Sequence, residues 1–296
     1  MLKNWVRTLI QAFCIIVVLI SGFLSVAGFM TKQYLEHVNY DYTSEKIPPE
    51  MDGFKLVQIT DVHNHSLEYE NGNLIDQIKT INPDVLMYTG DLIDQHSGPE
   101  NIKNYHQLFE AFKEVPAFMV GGNHETYARY QEEFRDLVSQ YPNITVLRDT
   151  STTFTYHGYT FNISGIHDVI EEDGDKTGFF STKGDELIEP FVALAKASAD
   201  SNNNFNLLLS HRPDHLKVFA KYNFDLVLSG HTHGGQIGFF PMNFEYKLSG
   251  QHRYITGKFT MDNTTLLVSN GLGFSGKLPV RVKCPMQLLT VTFKAN

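Results

Sequence analysis

The stretch LVLSGHTHGGQIG, residues 226–238, joins a short apolar run to two histidines that have glycines on both sides. Four other apolar runs along the chain also end in side chains that can bind a metal ion. Continuous apolar runs of this length are typical of strands that are covered on both faces of a sheet. The four runs are FKLVQITDVH (54–63), DVLMYTGDLI (84–93), AFMVGGNHE (117–125) and FNLLLSHRP (205–213).

Amphipathic stretches with a helical period separate these runs, and alternating strands and helices predict an α/β fold. We expect two mixed β-sheets packed as a sandwich with flanking helices. A hairpin is expected around His157-Gly158, and Asp262-Asn263 should form a turn between two strands near the C-terminus. The predicted helices cover residues 73–81, 99–115, 125–141 and 213–222.

The composition fits a globular protein with a substantial core, because 42% of the 296 residues are hydrophobic and 19% are charged. The formal net charge is −9 and no Lys/Arg-rich block occurs, so no nucleic-acid partner is expected. The two cysteines, Cys14 and Cys284, form neither a disulfide framework nor a paired-cysteine metal site. We expect a monomer.

The N-terminus carries a segment that can cross a membrane. No charged residue occurs from Thr8 to Met30, and about 20 apolar residues are enough to span a bilayer. Lys3 and Arg7 precede this run, which places the N-terminus inside and the rest of the chain outside the cytoplasm. The alternative is a signal peptide that is cleaved after Ala27, since Ser25–Ala27 resembles a cleavage site.

The chain therefore divides into three predicted segments. Residues 1–30 are the transmembrane anchor, and residues 31–52 are a polar stalk that ends in two prolines. Residues 53–296 form the globular domain, which would lie at the cell membrane on its outer side.

Polar residues gather where the five predicted strands end, and sites in α/β sheets form beyond the carboxyl ends of strands. A single Asp or His at such a place is ordinarily a turn former or a helix cap. Five such strand ends together are better explained by one cluster, and borderline divalent metals accept imidazole and oxygen ligands in mixture. The strand ends supply Asp61, His63, Asp91, Asn123, His124, His211, His231 and His233.

The motif series D-x-H, G-D-x-x-D, G-N-H-E, H and G-H-x-H resembles the calcineurin-like metallophosphoesterase superfamily. The tail LLVSNGLGFSGKLPVRVKCP, residues 266–285, resembles a branch of membrane-associated bacterial phosphoesterases. The resemblance implies the phosphoesterase fold over residues 53–296 and a site for two divalent metal ions, for which Mn, Fe and Zn all suit the ligands.

The matched motif positions imply a role for each residue. Asp91 would bridge the two metals, His124 would be the catalytic histidine, and Asp94 and Glu125 would orient the ligands from outside. Asp61 and His63 are expected at a strand end, where side chains two residues apart point the same way. The glycines beside the paired histidines are expected to leave room for substrate. The first metal would be held by Asp61, His63 and His233, and the second by Asn123, His211 and His231.

The expected reaction is hydrolysis of a phosphoester or pyrophosphate bond. A metal-bound hydroxide would attack phosphorus, while His124 would protonate the leaving group or stabilise charge on the phosphoryl oxygens. The substrate would be a phosphorylated small molecule or a lipid-linked phosphate near the membrane. A nuclease or cyclic-nucleotide phosphodiesterase remains an alternative. A second alternative is a non-catalytic metal-binding module of the same fold. Such a module would be expected to have lost Asp91 or His124, and both residues are present.

Overall fold

All five apolar runs form buried strands in the computed structural model. The structure describes residues 2–32, 34–63, 65–125, 128–168, 184–199, 204–236, 254–274, 281 and 284–295. The strands in chain order are β1 (Leu35–Thr43), β2 (Lys55–Ile59), β3 (Glu68–Tyr69), β4 (Gly72–Asn73), β5 (Val85–Thr89), β6 (Ala117–Val120), β7 (Ile144–Val146), β8 (Thr150–Tyr156), β9 (Tyr159–Gly165), β10 (Phe205–Leu209), β11 (Leu226–Ser229), β12 (Gly257–Met261), β13 (Thr264–Val268) and β14 (Met286–Lys294). The helices are α1 (Leu2–Lys32), α2 (Leu74–Ile81), α3 (Pro99–Ala111), α4 (Gln131–Ser139), α5 (Gly184–Ala197) and α6 (Leu216–Lys221).

Within the described residues, two six-stranded sheets form the body of the domain, and β3 and β4 form a separate two-stranded sheet. The first has the order β1-β14-β2-β5-β6-β7, and the second has the order β12-β13-β11-β10-β9-β8. In the first sheet β2, β5, β6 and β7 are parallel, whereas β14 runs antiparallel to β2. In the second sheet β9, β10, β11 and β13 are parallel, with an antiparallel strand at each edge. Both sheets are therefore mixed, as predicted.

The two sheets pack face to face through a continuous apolar layer. Leu56 and Met87 from the first sheet lie in the same buried cluster as Leu207 and Leu228 from the second. Helices α2, α3 and α4 cover the outer face of the first sheet, and α5 and α6 cover that of the second. Burial of both sheet faces explains why the strands are continuous apolar runs. The predicted α/β sandwich with flanking helices is confirmed.

The local predictions differ from the structure mainly at helix ends. Helix α4 begins six residues later than predicted, and α5 was not predicted at all. The hairpin turn between β8 and β9 lies at His157-Gly158, where both residues have positive φ angles, of 48° and 84°. Asp262 has a φ of 51° in the turn between β12 and β13.

The segment predicted as a polar stalk contains strand β1, so the prediction of a free stalk over residues 31–52 is wrong. Strand β1 pairs in parallel with β14 along its whole length, from Leu35 opposite Met286 to Thr43 opposite Lys294. Its polar side chains alternate with more buried ones, as expected for a strand at the edge of a sheet. This alternation made the segment look polar in composition although its backbone belongs to the sheet.

Helix α1 contains a window, Trp5–Phe23, that is long and apolar enough to cross a membrane. No part of this window is buried against the rest of the protein. By length and composition, this helix could cross a membrane.

Candidate metal centre

The loops that follow β2, β5, β6, β10 and β11 meet at one end of the sandwich. These strands are parallel within their sheets, so their carboxyl ends lie along a common edge. The structure brings the predicted carboxylate and histidine ligands together here, with ligand atoms within 4.8 Å of one another in each group. The groups are Asp61, His63 and His233; His63, Asp91 and His124; and Asp91, His211 and His231.

The first group is fully buried and presents two imidazoles to a shared point. Nε2 of His63 lies 3.0 Å from Nε2 of His233, which in turn lies 3.4 Å from Oδ1 of Asp61. Ligand atoms bound to one zinc-sized cation at 2.0–2.2 Å are themselves about 3 Å apart. The three side chains are therefore spaced as ligands of a single cation.

The Asp91 carboxylate links the third group, Asp91, His211 and His231, to the first group. Nε2 of His211 lies 3.1 Å from Oδ2 of Asp91 and 3.2 Å from Nδ1 of His231. The same oxygen of Asp91 lies 3.8 Å from Nε2 of His63. One carboxylate oxygen thus faces nitrogen ligands of both groups.

Asn123, which directly precedes His124 in the chain, has an unpaired side-chain oxygen. Among the residues that the structure describes, its Oδ1 atom is buried and has no hydrogen-bond partner. Burying an amide oxygen without a partner is unfavourable by about 1–3 kcal/mol, and a cation would satisfy it. Together with the mixed nitrogen and oxygen donors, this orphaned atom fits a borderline divalent metal.

The direction of the candidate ligand side chains is set by residues with a left-handed backbone conformation, and not by the alternation of side chains along a strand. Strand β2 ends at Ile59, so the expectation that Asp61 and His63 lie on a strand is wrong. A left-handed conformation is uncommon for residues other than glycine and is concentrated at functional sites. Five candidate ligands have positive φ angles: Asp61 (51°), His63 (52°), Asp91 (52°), His231 (70°) and His233 (50°).

Gly230 and Gly234 of the GHTHGG segment make room for neighbouring protein atoms. A Cβ atom on Gly230 would overlap the Asp61 carboxylate, and one on Gly234 would overlap Asn270 and Cys284. For Gly230 and Gly234 the expectation that glycine leaves space for substrate is therefore wrong, because protein atoms fill that space.

Glu125 binds the backbone of the loops that carry the candidate ligands. Its carboxylate accepts hydrogen bonds from the N–H groups of Gly122 (2.7 Å), Asp91 (2.9 Å) and Leu92 (2.6 Å). Removal from water and the charge of Asp91 raise the pKa of Glu125 to about 7. These hydrogen bonds join Glu125 to the backbone of Asp91, and the orienting role of Glu125 stays a prediction.

Asp94 and His124 both lie close to the His63 ring. Oδ2 of Asp94 is 3.6 Å from Nδ1 of His63, the ring nitrogen that does not face His233. The ring of His124 meets the ring of His63 edge-on, with 4.8 Å between centroids. Burial lowers the pKa of His124. The charge of Asp91 acts to raise this pKa and His63 acts to lower it, and the net pKa of His124 is lowered.

Asp91 and His211 are a buried pair whose Oδ2 and Nε2 atoms lie 3.1 Å apart. Burial disfavours charge on both, but their mutual attraction raises the pKa of His211 to about 10 and holds that of Asp91 well below its usual range. A cation bound between them would take the place of the proton on His211, so binding would release that proton.

Arg281 contacts the candidate metal centre, although the sequence did not predict it as a site residue. It is completely buried, and its Nη2 atom lies 3.1 Å from Nδ1 of His233. Its guanidinium also donates to the carbonyl oxygens of Asn270 (2.7 Å) and Gly273 (2.9 Å). Arg281 thus ties the loop of His233 to the loop after β13. No local pattern marks this residue, because the histidine that it contacts is 48 positions away.

Arg212 is a second arginine that contacts the candidate metal centre and was not predicted as a site residue. Its Nε atom donates to Oδ2 of Asp168 at 2.7 Å, and its Nη1 atom lies 3.0 Å from Nε2 of His231. This contact holds the His231 ring with its Nδ1 atom toward His211. Its position in the sequence could have identified it as a site residue, because Arg212 directly follows the predicted ligand His211.

Comparison with known proteins agrees with this site. The family model for calcineurin-like phosphoesterases matches residues 54–235. The metallophosphoesterase Cj0846 of Campylobacter jejuni is 31% identical over 255 residues, covering 85% of this chain and 62% of that protein. The metallophosphoesterase YkuE of Bacillus subtilis is 26% identical over 279 residues, covering 91% and 89% of the two chains.

A third relative has a named substrate. The UDP-2,3-diacylglucosamine pyrophosphatase LpxG of Chlamydia trachomatis is 27% identical over 280 residues, covering 75% of this chain and 79% of that protein. The predicted resemblance is confirmed by the family match, which includes every candidate ligand from Asp61 to His233. The chain belongs to the calcineurin-like phosphoesterase family.

Proposed function

We propose that this protein hydrolyses phosphoester or pyrophosphate bonds with two divalent metal ions, of which Mn, Fe and Zn all suit the ligands. The observation that carries the proposal is the position of Asp91, whose Oδ2 atom faces His211 at 3.1 Å and His63 at 3.8 Å. A carboxylate oxygen between two sets of imidazole ligands is suited to bind a pair of cations.

Each cation would have its own ligand set. Asp61, His63 and His233 would hold the first, Asn123, His211 and His231 would hold the second, and Asp91 would lie between them. Two cations bound in this way would polarise a phosphoryl group and activate a water nucleophile near neutral pH.

The chain's own residues would complete the site. His124 is the proposed catalytic residue, and its half-buried ring beside His63 would donate a hydrogen bond or a proton to the leaving oxygen. Its position is supported by the hydrogen bond from its backbone N–H to Oδ1 of Asp91. Glu125 and Asp94 are proposed positioning residues, because they contact the Asp91 backbone and the His63 ring.

We also propose that the protein acts as a monomer at the cell membrane, with helix α1 as a single-pass anchor and the catalytic domain outside the cytoplasm. The apolar window Trp5–Phe23 supports the anchor, and Lys3 and Arg7 support the orientation. The likeness to a pyrophosphatase that acts on UDP-2,3-diacylglucosamine supports a phosphorylated small-molecule or lipid-linked substrate. No nucleic acid is proposed as a partner.

The experiment is a substrate panel on the full chain in detergent. The protein is stripped of metal, reloaded separately with Mn, Fe or Zn, and assayed on phosphomonoesters, phosphodiesters, cyclic nucleotides and pyrophosphates. We expect metal-dependent turnover of at least one phosphoester or pyrophosphate, with about two metal ions per chain by elemental analysis. Full activity in a chain shown to be metal-free would contradict the proposal, and turnover confined to nucleic acids or cyclic nucleotides would replace it with the alternative.

A further inference from the structure

The chain enters the catalytic domain at the same end of the sandwich as the candidate metal centre. Leu35, the first residue of β1, is paired with Met286 of β14. Strand β14 pairs antiparallel with β2, with Leu289 opposite Gln58. At this end the loop after β13 lies between β14 and the residues that follow β2, because the N–H of Gln287 donates to the carbonyl oxygen of Gly271 and the N–H of Leu272 donates to that of Thr60. Since neighbouring strands are about 4.8 Å apart, Leu35 lies about three such spacings, or roughly 15 Å, from the proposed ligand Asp61.

Side-chain contacts connect Leu35, where the chain enters the domain, to the loop that carries Asp61 and His63. Asn71 accepts a hydrogen bond from the N–H of Leu35 at 3.0 Å and donates one to its carbonyl oxygen at 2.9 Å. The Leu35 side chain is 1% exposed and packs in the same cluster as Val62 and Leu272. Val62 lies between the proposed ligands Asp61 and His63, so the start of β1 and the centre belong to one packed unit.

Only two residues separate this entry point from helix α1, which ends at Lys32. Two residues and their flanking bonds span about 10 Å at most. The uncharged run of the helix ends at Met30, five residues before Leu35. The opposite end of the domain carries the turn at Asp262, which is farther away by the length of the five-residue strand β13, or about 17 Å.

We propose that the metal centre faces the bilayer and that its substrate is the phosphate or pyrophosphate headgroup of a membrane lipid. This inference rests on the proposed hydrolase function and on retention of α1. Water would add its oxygen to phosphorus, the P–O bond to the leaving group would break, and the leaving oxygen would take up a proton. One product would stay in the bilayer and the other would enter the water, which suits a site at the lipid surface.

The orientation can be measured without activity. The full chain is placed in nanodiscs whose lipid headgroups carry an acceptor dye, and a donor dye is attached to a single introduced cysteine. In a Cys14→Ser background the variants are Glu70→Cys, in the exposed turn beside Asn71, and Asp262→Cys, at the opposite end. Cys284 is 4% exposed and does not compete for the dye. We expect clearly higher energy transfer from position 70; equal or lower transfer would overturn the orientation.

The substrate class is tested by moving the domain away from the bilayer. A spacer of twenty Gly/Ser residues is inserted between residues 33 and 34, and the control carries the same spacer in the exposed Asp262–Asn263 turn. Both are reconstituted in vesicles and assayed on a lipid with a pyrophosphate or phosphodiester headgroup, and on a water-soluble analogue of the same headgroup. Since effective concentration falls steeply with tether length, the first spacer should lower kcat/KM on the lipid by about tenfold or more.

The soluble analogue separates the possible failures. It should be hydrolysed equally by both spacer variants and the parent chain, which also shows that the domain is folded. If the spacer after residue 33 leaves lipid hydrolysis unchanged, or if only the soluble compound is a substrate, the inference is wrong while the hydrolase function stands. If neither compound is hydrolysed by the metal-loaded parent and the wider panel also fails, the hydrolase function itself is wrong.

Discussion

The backbone N–H of His124 donates a hydrogen bond of 2.8 Å to Oδ1 of Asp91. The other oxygen of the same carboxylate faces the nitrogen ligands of both groups. One carboxylate therefore both supports the proposed cation pair and holds the proposed catalytic histidine. Because the contact uses the backbone of His124, its ring can be changed without loss of this hydrogen bond, and the two roles can be tested separately.

Asp91→Asn removes the negative charge between the two proposed cations. We expect the metal content to fall to about one ion or fewer per chain, and kcat to fall by at least about 100-fold. Elemental analysis and steady-state kinetics measure the two effects. The control is Asp136→Asn, the same change at an exposed position of helix α4. An Asp91→Asn variant with two tightly held metal ions and parental turnover would refute the bridging role.

His124→Gln should keep both metal ions and lose most turnover, because the substitution retains the backbone contact to Asp91 but removes the imidazole. General acid catalysis typically contributes ~10²–10⁴-fold, so kcat should fall within that range. His96→Gln, in an exposed part of the loop after β5, provides the matched control. If the His124 variant instead loses its metal, His124 is a ligand and not the catalytic group.

Much of the fold was predictable because the five central strands are buried on both faces and are therefore continuous apolar runs. The end of each run also identified the residues that the structure brings together, from Asp61 to His233. Strand β1 was not predictable in this way, because it is an edge strand whose partner β14 begins about 250 positions later. The role of Arg281 was not predictable for a similar reason, because its contacts with Asn270 and His233 exist only after the loops have packed.

Gly230→Ala should disturb the centre by steric overlap, because the added Cβ would occupy the space of the Asp61 carboxylate and the Thr60 side chain. We expect weaker metal binding and a loss of stability of about 1–3 kcal/mol, the usual range for overpacking. Metal titration and thermal denaturation measure these effects. Gly98→Ala is the control, since its Cβ would meet only Asn101 at 4.0 Å. Metal affinity equal to that of the parent would show that the backbone can shift to accommodate the methyl group.

Arg281→Met should destabilise the domain, because it leaves the buried carbonyl oxygens of Asn270 and Gly273 without their donor. With about 1–3 kcal/mol for each unsatisfied group, we expect a loss of ~3 kcal/mol or more and a Tm lower by roughly 6 °C or more. Differential scanning fluorimetry in detergent makes the comparison with Arg148→Met, a surface control. An unchanged Tm would mean that other groups replace these hydrogen bonds.

The mature protein should retain its N-terminal helix. Mass spectrometry of the protein purified from membranes should find peptides that include residues 1–27, and protease added to intact cells should degrade the catalytic domain. The first result follows from the long uncharged run in α1, and the second from Lys3 and Arg7 at its inner end. A new N-terminus after Ala27 would instead identify a cleaved signal peptide, and a protected domain would place it inside the cell.

The left-handed backbone at five candidate ligands has a consequence for how this domain can evolve. Each such residue other than glycine costs about 1 kcal/mol or more, while the net stability of a domain is typically only 5–15 kcal/mol. Glycine at Asp61, His63, Asp91, His231 or His233 would relieve the strain and remove a ligand in the same step. Selection for heat resistance alone would therefore favour glycine at these positions and erase the site, so thermostable variants should be sought at residues away from these five loop positions.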